Sequence, residues 1–401
     1  MHPDEPGKRS YAALSLKSIG LDNETLALRA VRLPAVQTPP VPGSHKLLRR
    51  FHLPPGRVYV DTASYGLPPA ETVVALENAL RQWQNGGADW ISDWDPAGED
   101  CRVLFAQILS VAADEVALLP AVSAGVASLA ASLTATDEVV IPSDEFNSLL
   151  LPFLVAERAV GTRIRRVPFE RLADSVTAET TVVATSHVQS NGGALQDLDA
   201  VSAAATAHGA LTVVDATHSA GILPLEIRRR GIDIVYAAAY KHLLCPRGVA
   251  FMAVAPAHQH RLRPFAASWR STAAPYDNYY GGHLDDLAAG AAKFDLSLAW
   301  HAWIGARESL QFVASFPQEE RQSWCVGLAS ELAARLEIPP TGSSVLGIPV
   351  RMTTQETREL LRSAGVVASM PLGQVRVSFH VYNDSTDVET VAMLLSDRVS
   401  R

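Results

Sequence analysis

Two ionisable residues, Asp215 and Lys241, stand at the ends of apolar runs in the middle of the chain. The first run, Leu211 to Val214, ends at Asp215, and the second, Ile232 to Tyr240, ends at Lys241. Short apolar runs that stop at a charge and a turn are typical of strands in a covered parallel sheet. Ligands collect at the carboxyl ends of such strands, so we expect both side chains to face one crevice.

A carboxylate and an amine in one crevice have two interpretations. They can form a buried ion pair that only closes the sheet. Alternatively, they can serve pyridoxal phosphate (PLP), with Lys241 forming the Schiff base. Asp215 would then keep the pyridine nitrogen protonated, so that the ring acts as an electron sink. Taken alone, the two residues do not decide between these interpretations.

The sequence around both residues carries a resemblance. The segments DATHSAG, from Asp215, and AAYKHLLCPRG, around Lys241, resemble the aminotransferase class V family, which are PLP enzymes of fold type I. This family includes cysteine desulfurase, isopenicillin N epimerase and kynureninase, and the pairing of His218 with Tyr240 is most similar to the kynureninase branch. The resemblance implies an α/β fold with a large domain built on a mainly parallel sheet and a smaller C-terminal α/β domain.

The length of 401 residues and a hydrophobic content of 48% favour a globular protein of two domains. We expect an N-terminal extension at 1–50, which is either disordered or wrapped on the body or on a partner subunit. A large PLP-binding domain should follow at 51–280. A helical connection and the small C-terminal domain should occupy 281–401.

An anion site is predicted where an apolar run ending at Leu119 and Pro120 leads into an Ala-rich helix. Free N–H groups and the dipole at a helix N-terminus favour phosphate, although many strand-to-helix turns have this form. In the resembled family this turn holds the PLP phosphate, which implies that role for Ser123 and Ala124. The resemblance also implies that the Tyr240 hydroxyl contacts the phosphate.

Three further contacts with the cofactor are implied by the resemblance. Phe146 occupies the place of the residue that stacks on the ring, where many relatives have histidine. Either Ser190 or Asn191 should hydrogen-bond the cofactor hydroxyl. His218 should contact the ring, either as a proton carrier or as support for Asp215.

A substrate-binding residue is expected in Gly373–Asn383 (GQVRVSFHVYN). The family motif Arg-x-Ser-x-x-x-Tyr-Asn holds the substrate α-carboxylate, and Arg376 matches its arginine. A planar guanidinium can bind a carboxylate through two parallel hydrogen bonds, which lysine cannot reproduce. The alternative is an arginine on a strand surface without a ligand.

The reaction is left open by the cofactor motifs. A cysteine desulfurase needs a thiol on a loop of the small domain, and no cysteine follows Cys325. We therefore rank β-elimination or C–S bond cleavage of a cysteine conjugate first, via an aldimine on Lys241. Transamination or epimerisation of an amino acid is the alternative, and a catalytically inactive partner protein is less favoured.

Composition restricts the remaining partners. A net charge of −8 gives no electrostatic footprint for nucleic acid, and no apolar run is long enough for a membrane span. Three cysteines without close spacing suit the cytoplasm and indicate neither a disulfide framework nor a metal site. By resemblance, we expect a homodimer with active sites at the interface and a small amino-acid substrate.

Overall fold

A seven-stranded sheet forms the centre of the fold. The computed structural model describes residues 41–400. The strands in chain order are β1 Val58–Tyr59, β2 Val116–Leu119, β3 Glu138–Pro142, β4 Arg163–Val167, β5 Val182–Ser186, β6 Leu211–Asp215, β7 Ile234–Ala238, β8 Ala250–Val254, β9 Val345–Ile348, β10 Val366–Val367 and β11 Val375–Ser378. The central sheet has the strand order β2-β8-β7-β6-β5-β3-β4, and all its pairings are parallel except those of β8 with β7 and β2.

Helices cover the sheet and continue into the C-terminal part of the chain. Every residue of β5, β6 and β7 is buried, as expected for strands that are covered on both faces. The helices are α1 His45–Leu48, α2 Ala70–Gln84, α3 Pro96–Leu109, α4 Val122–Ala130, α5 Asn147–Val160, α6 Leu198–His208, α7 Ile227–Arg230, α8 Pro256–Gln259, α9 Trp300–Ala314, α10 Gln318–Arg335, α11 Thr354–Ser363 and α12 Ser385–Leu395.

Helix α4 packs closely against the sheet because it contains Gly125. A Cβ atom at this position would lie 2.6 Å from Leu119 Cδ1 and 2.7 Å from Tyr236 Cε1. The Tyr236 hydroxyl also donates a hydrogen bond of 3.3 Å to the Gly125 carbonyl. The glycine therefore lets the first turn of α4 lie directly beside the end of β2, where the anion site is predicted.

The C-terminal elements form an apolar cluster of their own around β9 and β11, which pair antiparallel. β1 joins this cluster, since Val58 and Tyr59 pair with β10 in parallel and Val60 packs in the same core. The first strand of the body thus contacts elements near the C-terminus. The predicted boundary between the large domain and the C-terminal part, at residue 280, remains a prediction. Residues 41–400 lie within one compact unit.

The predicted N-terminal extension at 1–50 falls mostly outside the described residues. Its described part, from residue 41, contacts the body: Gly43 N–H donates to the Val381 carbonyl at 2.9 Å. Leu47 is buried, and the adjoining Phe51 ring lies 4.9 Å from the ring of Tyr382. Within residues 41–400, no helix combines the length and apolar character that crossing a membrane requires.

Candidate active site

The ends of β6 and β7 bring Asp215 and Lys241 to one cavity, as the sequence predicts. Both side chains are 5% exposed. Polar and aromatic side chains from several strand ends share the lining, which consists of Pro120, Ala121, Val122, Ser123, Phe146, Ser148, Ser186, Ser190, Asp215, Thr217, His218, Ala238, Tyr240, Lys241, Arg247 and Val249. The carboxyl end of the sheet is therefore the candidate active site.

The Lys241 amine lies beside a histidine. Its Nζ atom is 3.2 Å from His218 Nε2, and the Asp215 carboxylate acts on it through charge rather than through a close ion pair. Burial lowers the pKa of Lys241 to about 8, although the charge of Asp215 opposes this shift. A buried lysine with a depressed pKa is a nucleophile and proton acceptor near neutral pH.

His218 is held as a neutral imidazole. Burial lowers its pKa well below the usual range, and the Lys241 charge adds to that effect. The Nδ1 atom of His218 is buried without a hydrogen-bond partner among the described residues. When Nε2 accepts a hydrogen bond from the Lys241 ammonium, the neutral ring carries its proton on Nδ1, which is then a free donor.

Asp215 is positioned by its own turn. Its Oδ1 accepts a hydrogen bond of 2.8 Å from the backbone N–H of Thr217, and Thr217 Oγ1 accepts from the Ala238 N–H at 2.9 Å. Burial raises the pKa of the Asp215 carboxyl, whereas the Thr217 contacts and the Lys241 charge lower it. These contacts fix the orientation of the carboxylate at the end of β6.

The predicted anion end of the cavity lies at the start of α4. Ala121 precedes this helix and provides no side-chain cap, so N–H groups of the first turn lack an intrahelical partner. Ser123 lines the cavity, whereas Ala124 does not line it, and its N–H donates to the Ala121 carbonyl at 3.1 Å. Tyr240 lines the cavity beside Lys241.

Phe146 lies across the cavity from the lysine, with its ring centroid 5.1 Å from Lys241 Nζ. Phe146 is 43% exposed and lines the cavity. The preceding Glu145 is buried, and its carboxylate accepts hydrogen bonds from the Ser186 N–H at 2.7 Å, the Ser186 hydroxyl at 2.5 Å and the Phe146 N–H at 2.7 Å. Glu145 thus fixes the backbone that presents the phenyl ring.

The structure separates the two candidates for the cofactor hydroxyl. Ser190 lines the cavity. Asn191 points elsewhere, since its Nδ2 donates to Asp144 Oδ2 at 3.1 Å. Of the two, Ser190 is the one that lines the cavity, and its contact with the cofactor hydroxyl remains a prediction.

Arg376 is buried and held behind Ser190. Its guanidinium donates to the Ser190 carbonyl at 2.6 Å, the Ser64 hydroxyl at 2.7 Å and the Ser369 hydroxyl at 3.0 Å. The nearest carboxylate atom, Asp61 Oδ1, lies 3.9 Å away. Arg376 is not among the residues that line the cavity, but its charge lowers the pKa of Lys241. The arginine therefore retains a charge that is only loosely paired.

Several residues of the site escaped the sequence analysis. Arg247 lines the cavity, and its guanidinium carbon lies 5.2 Å from the Tyr240 ring centroid. Ser64, which is 312 positions away in sequence, and Ser369, which is 7 positions away, both accept hydrogen bonds from Arg376. The only local signal was the Pro-Arg-Gly turn after Lys241, which returns the chain along β8 and keeps Arg247 near the cavity.

The sequence profile of the aminotransferase class-V family matches residues 58–345. This chain belongs to that family. The protein is therefore an enzyme, and its cofactor is PLP. The family predicted from the DATHSAG and AAYKHLLCPRG segments is confirmed.

Two relatives differ in their named activities. An uncharacterized aminotransferase, YcbU, of Bacillus subtilis is 25% identical over 72% of this chain and 80% of its own length. A kynureninase of Deinococcus radiodurans is 28% identical over 59% of this chain and 60% of its own length.

The fold is confirmed by solved structures of C-DES, a cystine C–S lyase. Its complex with the product cysteine persulfide has a TM-score of 0.77 at 17% identity and covers 85% of this chain and 98% of that chain. A mutant with glycine covalently linked to the PLP cofactor has a TM-score of 0.79 at 17% identity, over 87% of this chain and 99% of that chain. Together with the mixed α/β sheet, these matches confirm the fold-class prediction.

The residues present fit PLP. The buried Lys241 amine suits the aldehyde, and the buried Asp215 carboxylate suits a protonated ring nitrogen. His218 Nδ1 is a buried donor without a partner among residues 41–400, which a cofactor oxygen would satisfy. The uncapped start of α4 suits the phosphate.

Proposed function

We propose that the enzyme catalyses β-elimination, most favourably C–S bond cleavage in cysteine or a cysteine conjugate. The observation that carries this proposal is the state of the thiols. The chain has three cysteines, and Cys101, Cys245 and Cys325 are all buried. Burial raises the pKa of each thiol, so none is suited to accept sulfur as a thiolate. Sulfur should therefore leave on a small molecule.

The side chains around the cavity divide the work. When bound, PLP withdraws electrons from the Cα atom of an attached amino acid. Lys241, freed by the incoming substrate amine, accepts the Cα proton, since its pKa of about 8 leaves a neutral fraction near pH 7. His218, 3.2 Å from the amine, orients Lys241. Arg376 supplies positive charge for the substrate carboxylate, and Asp215 keeps the ring nitrogen protonated.

Phe146 restricts the possible leaving groups. A phenyl ring can pack against the cofactor ring but has no proton to give to a departing group. The proton must then come from Lys241, His218, a tyrosine or water. A thiolate or persulfide anion can depart with little help from a proton donor. The absence of a donor on Phe146 therefore favours sulfur as the group on Cβ.

The attachment to Lys241 is tested by borohydride reduction. The purified protein should be yellow, and reduction should fix PLP to the peptide that contains Lys241. Lys241→Ala should lose this covalent product, whereas Lys293→Ala, at a lysine outside the cavity, should keep it. A reducible product at another lysine in Lys241→Ala would contradict the assignment.

The reaction is tested by single-turnover mixing with cysteine conjugates and ordinary amino acids, followed by mass spectrometry. Elimination should give pyruvate, ammonia and a thiol or persulfide, with PLP returned unchanged. Accumulation of pyridoxamine phosphate with a keto acid would instead establish transamination, and inversion without ammonia or keto acid would establish epimerisation. A protein-bound persulfide would overturn the argument from the buried thiols.

The second candidate is an aminotransferase or epimerase acting on an amino acid. One observation favours it: the contact between Lys241 and His218 provides two adjacent groups that could return a proton under control. The relative from Bacillus subtilis also carries the name aminotransferase. A catalytically inactive partner protein is disfavoured, because Lys241, Asp215 and His218 share one cavity.

We further propose that the enzyme is a cytoplasmic homodimer with active sites at the interface. The support is the family membership and the composition of the chain, including its reduced cysteines. Sedimentation at several concentrations measures the assembly. A monomer with full activity would contradict the proposed homodimer.

A further inference from the structure

Asp61 is a largely buried carboxylate with an incompletely paired charge. Its side chain is 14% exposed, and its Oδ1 atom has no hydrogen-bond partner within residues 41–400. This atom lies 3.9 Å from Arg376 Nη2, whereas the buried Asp295 approaches Arg102 to 2.5 Å. A buried carboxylate is costly without a close partner, so a simple structural ion pair does not account for Asp61.

The turn after β1 brings Asp61 to Arg376. Asp61 forms a parallel bridge with Ser378, which lies two residues beyond Arg376 on β11. The Asp61 carbonyl accepts hydrogen bonds from the Ser64 N–H at 2.9 Å and the Tyr65 N–H at 3.1 Å. One turn therefore places both the Asp61 carboxylate and the Ser64 hydroxyl beside the guanidinium.

Oxygen atoms of three serines surround the Arg376 guanidinium. Its Nε donates to Ser369 Oγ at 3.0 Å, its Nη1 to the Ser190 carbonyl at 2.6 Å and its Nη2 to Ser64 Oγ at 2.7 Å. A ligand carboxylate that binds through two parallel hydrogen bonds must replace one or more of these neutral acceptors. The neutral oxygens can give way, but the negative charge of Asp61 stays beside the guanidinium.

The charge of Asp61 reaches both cations of the site. Burial raises the pKa of its carboxyl, whereas nearby serine hydroxyls and the charges of Arg376 and Lys241 lower it. The Asp61 charge in turn opposes the effect of burial on the pKa of Lys241. Burial together with this charge raises the pKa of the Tyr59 hydroxyl to about 12. A second carboxylate at Arg376 would therefore be repelled by Asp61 in poorly solvated surroundings.

We propose that Asp61 is a specificity-determining residue that competes with the substrate carboxylate for Arg376. This inference rests on the proposed binding of that carboxylate to Arg376. Arg376 and Asp61 together carry no net charge, so one incoming carboxylate leaves this end of the site negative. A second negative charge on the same ligand group increases the repulsion. The site should therefore accept amino acids with one carboxylate on Cα and discriminate against analogues in which a dianion replaces it.

Three small amines test this specificity in the holoenzyme. Glycine has a carboxylate, methylamine lacks one, and aminomethylphosphonate carries a dianion at pH 8. Each amine is titrated into the protein, and the change in cofactor absorbance gives its dissociation constant. None of the three has a leaving group on Cβ, so the result does not depend on which reaction the enzyme catalyses.

The variants separate charge from shape. Asp61→Asn keeps the size of the side chain and removes its charge, and Arg376→Gln removes the cation. Asp199→Asn, at an exposed aspartate outside the cavity, is the control. The methylamine constant divided by the glycine constant isolates the carboxylate, because effects on Lys241 are common to both amines.

This ratio should be roughly tenfold higher in Asp61→Asn than in wild type, because repulsion of the glycine carboxylate is relieved. The affinity for aminomethylphosphonate should rise by a larger factor than that for glycine, and Asp199→Asn should match wild type. An unchanged or lower ratio in Asp61→Asn would overturn the inference and mark Asp61 as a support for the Arg376 side chain.

Wild-type protein gives a second test that needs no variant at Asp61. It should bind glycine more tightly than aminomethylphosphonate, and equal or tighter binding of the phosphonate would overturn the inference. Arg376→Gln should bring the ratio of methylamine to glycine constants close to one. If Arg376→Gln leaves the wild-type ratio unchanged, the proposed role of Arg376 fails, and the inference fails with it. A ratio that falls in Arg376→Gln but does not change in Asp61→Asn would refute the role of Asp61 alone.

Discussion

The electrostatics of Lys241 give a direct prediction for the apoprotein. Burial lowers the pKa of this amine from 10.5 to about 8. At pH 7 roughly one molecule in ten would carry a neutral amine, against about one in three thousand for an ordinary lysine. Lys241 should therefore react with small electrophiles near neutral pH, where exposed lysines are almost entirely protonated.

The assay is competitive labelling of apoprotein with acetic anhydride across pH 6 to 11, with mass spectrometry of the peptide that contains Lys241. The rate should rise with a midpoint near pH 8. Lys293, whose pKa is also lowered by burial but which lies outside the cavity, is an internal comparison within the same digest. A Lys241 midpoint near 10.5 would refute the inference that burial sets its reactivity.

Two substitutions should move this midpoint in opposite directions. Asp215→Asn removes a negative charge that raises the pKa of Lys241, so the midpoint should fall by roughly one pH unit. Arg376→Gln removes a positive charge that lowers the same pKa, so the midpoint should rise. The control Arg263→Gln, which removes an exposed charge outside the cavity, should leave the midpoint unchanged. Shifts in the same direction would mean that packing changes, rather than charge, control the amine.

Two further outcomes are expected. Arg376→Lys should weaken binding of α-carboxylate substrates by about 1.5–3 kcal/mol, or roughly tenfold to a hundredfold. It should weaken PLP binding much less. Equal losses of substrate and PLP affinity in parallel titrations would mark Arg376 as structural. Asp295→Asn should reduce the free energy of unfolding in urea by about 3 kcal/mol, because it leaves the buried Arg102 guanidinium, 2.5 Å from Asp295 Oδ2, without that carboxylate. Asp199→Asn, at an exposed ion pair, is its control and should change little.

The parts of the site that could be predicted from sequence are local. The apolar runs before Asp215 and Lys241 identify β6 and β7, since strand and turn signals lie within a few residues of each charge. Parallel order then places both charges at one edge of the sheet. The run from Ile232 is shortened in the structure to Ile234–Ala238, which leaves Tyr240 and Lys241 in the following turn at the cavity.

The parts that could not be predicted depend on pairings between distant segments. Ser64 and Arg376 are 312 positions apart, yet their side chains are joined by a hydrogen bond of 2.7 Å. The choice between Ser190 and Asn191 depended on one residue of register, and the contact of Asn191 with Asp144 resolves where each side chain points. Neither spacing nor residue type contains this information, because it arises only when the loops pack together.

The choice of reaction depends on where protons can go once PLP is bound. Elimination requires Lys241 to take a proton from Cα. The sulfur then departs with the electron pair of the Cβ–S bond. Transamination requires the same proton to be delivered to a different carbon, so its carrier must keep the proton and move. The neutral imidazole of His218, 3.2 Å from Lys241 Nζ, can hold the amine in place. Since Lys241 and His218 are adjacent, they can also return the proton, so their contact alone does not choose between the reactions. The leaving group decides instead: we expect elimination for substrates with a good leaving group on Cβ, and transamination only for substrates that lack one.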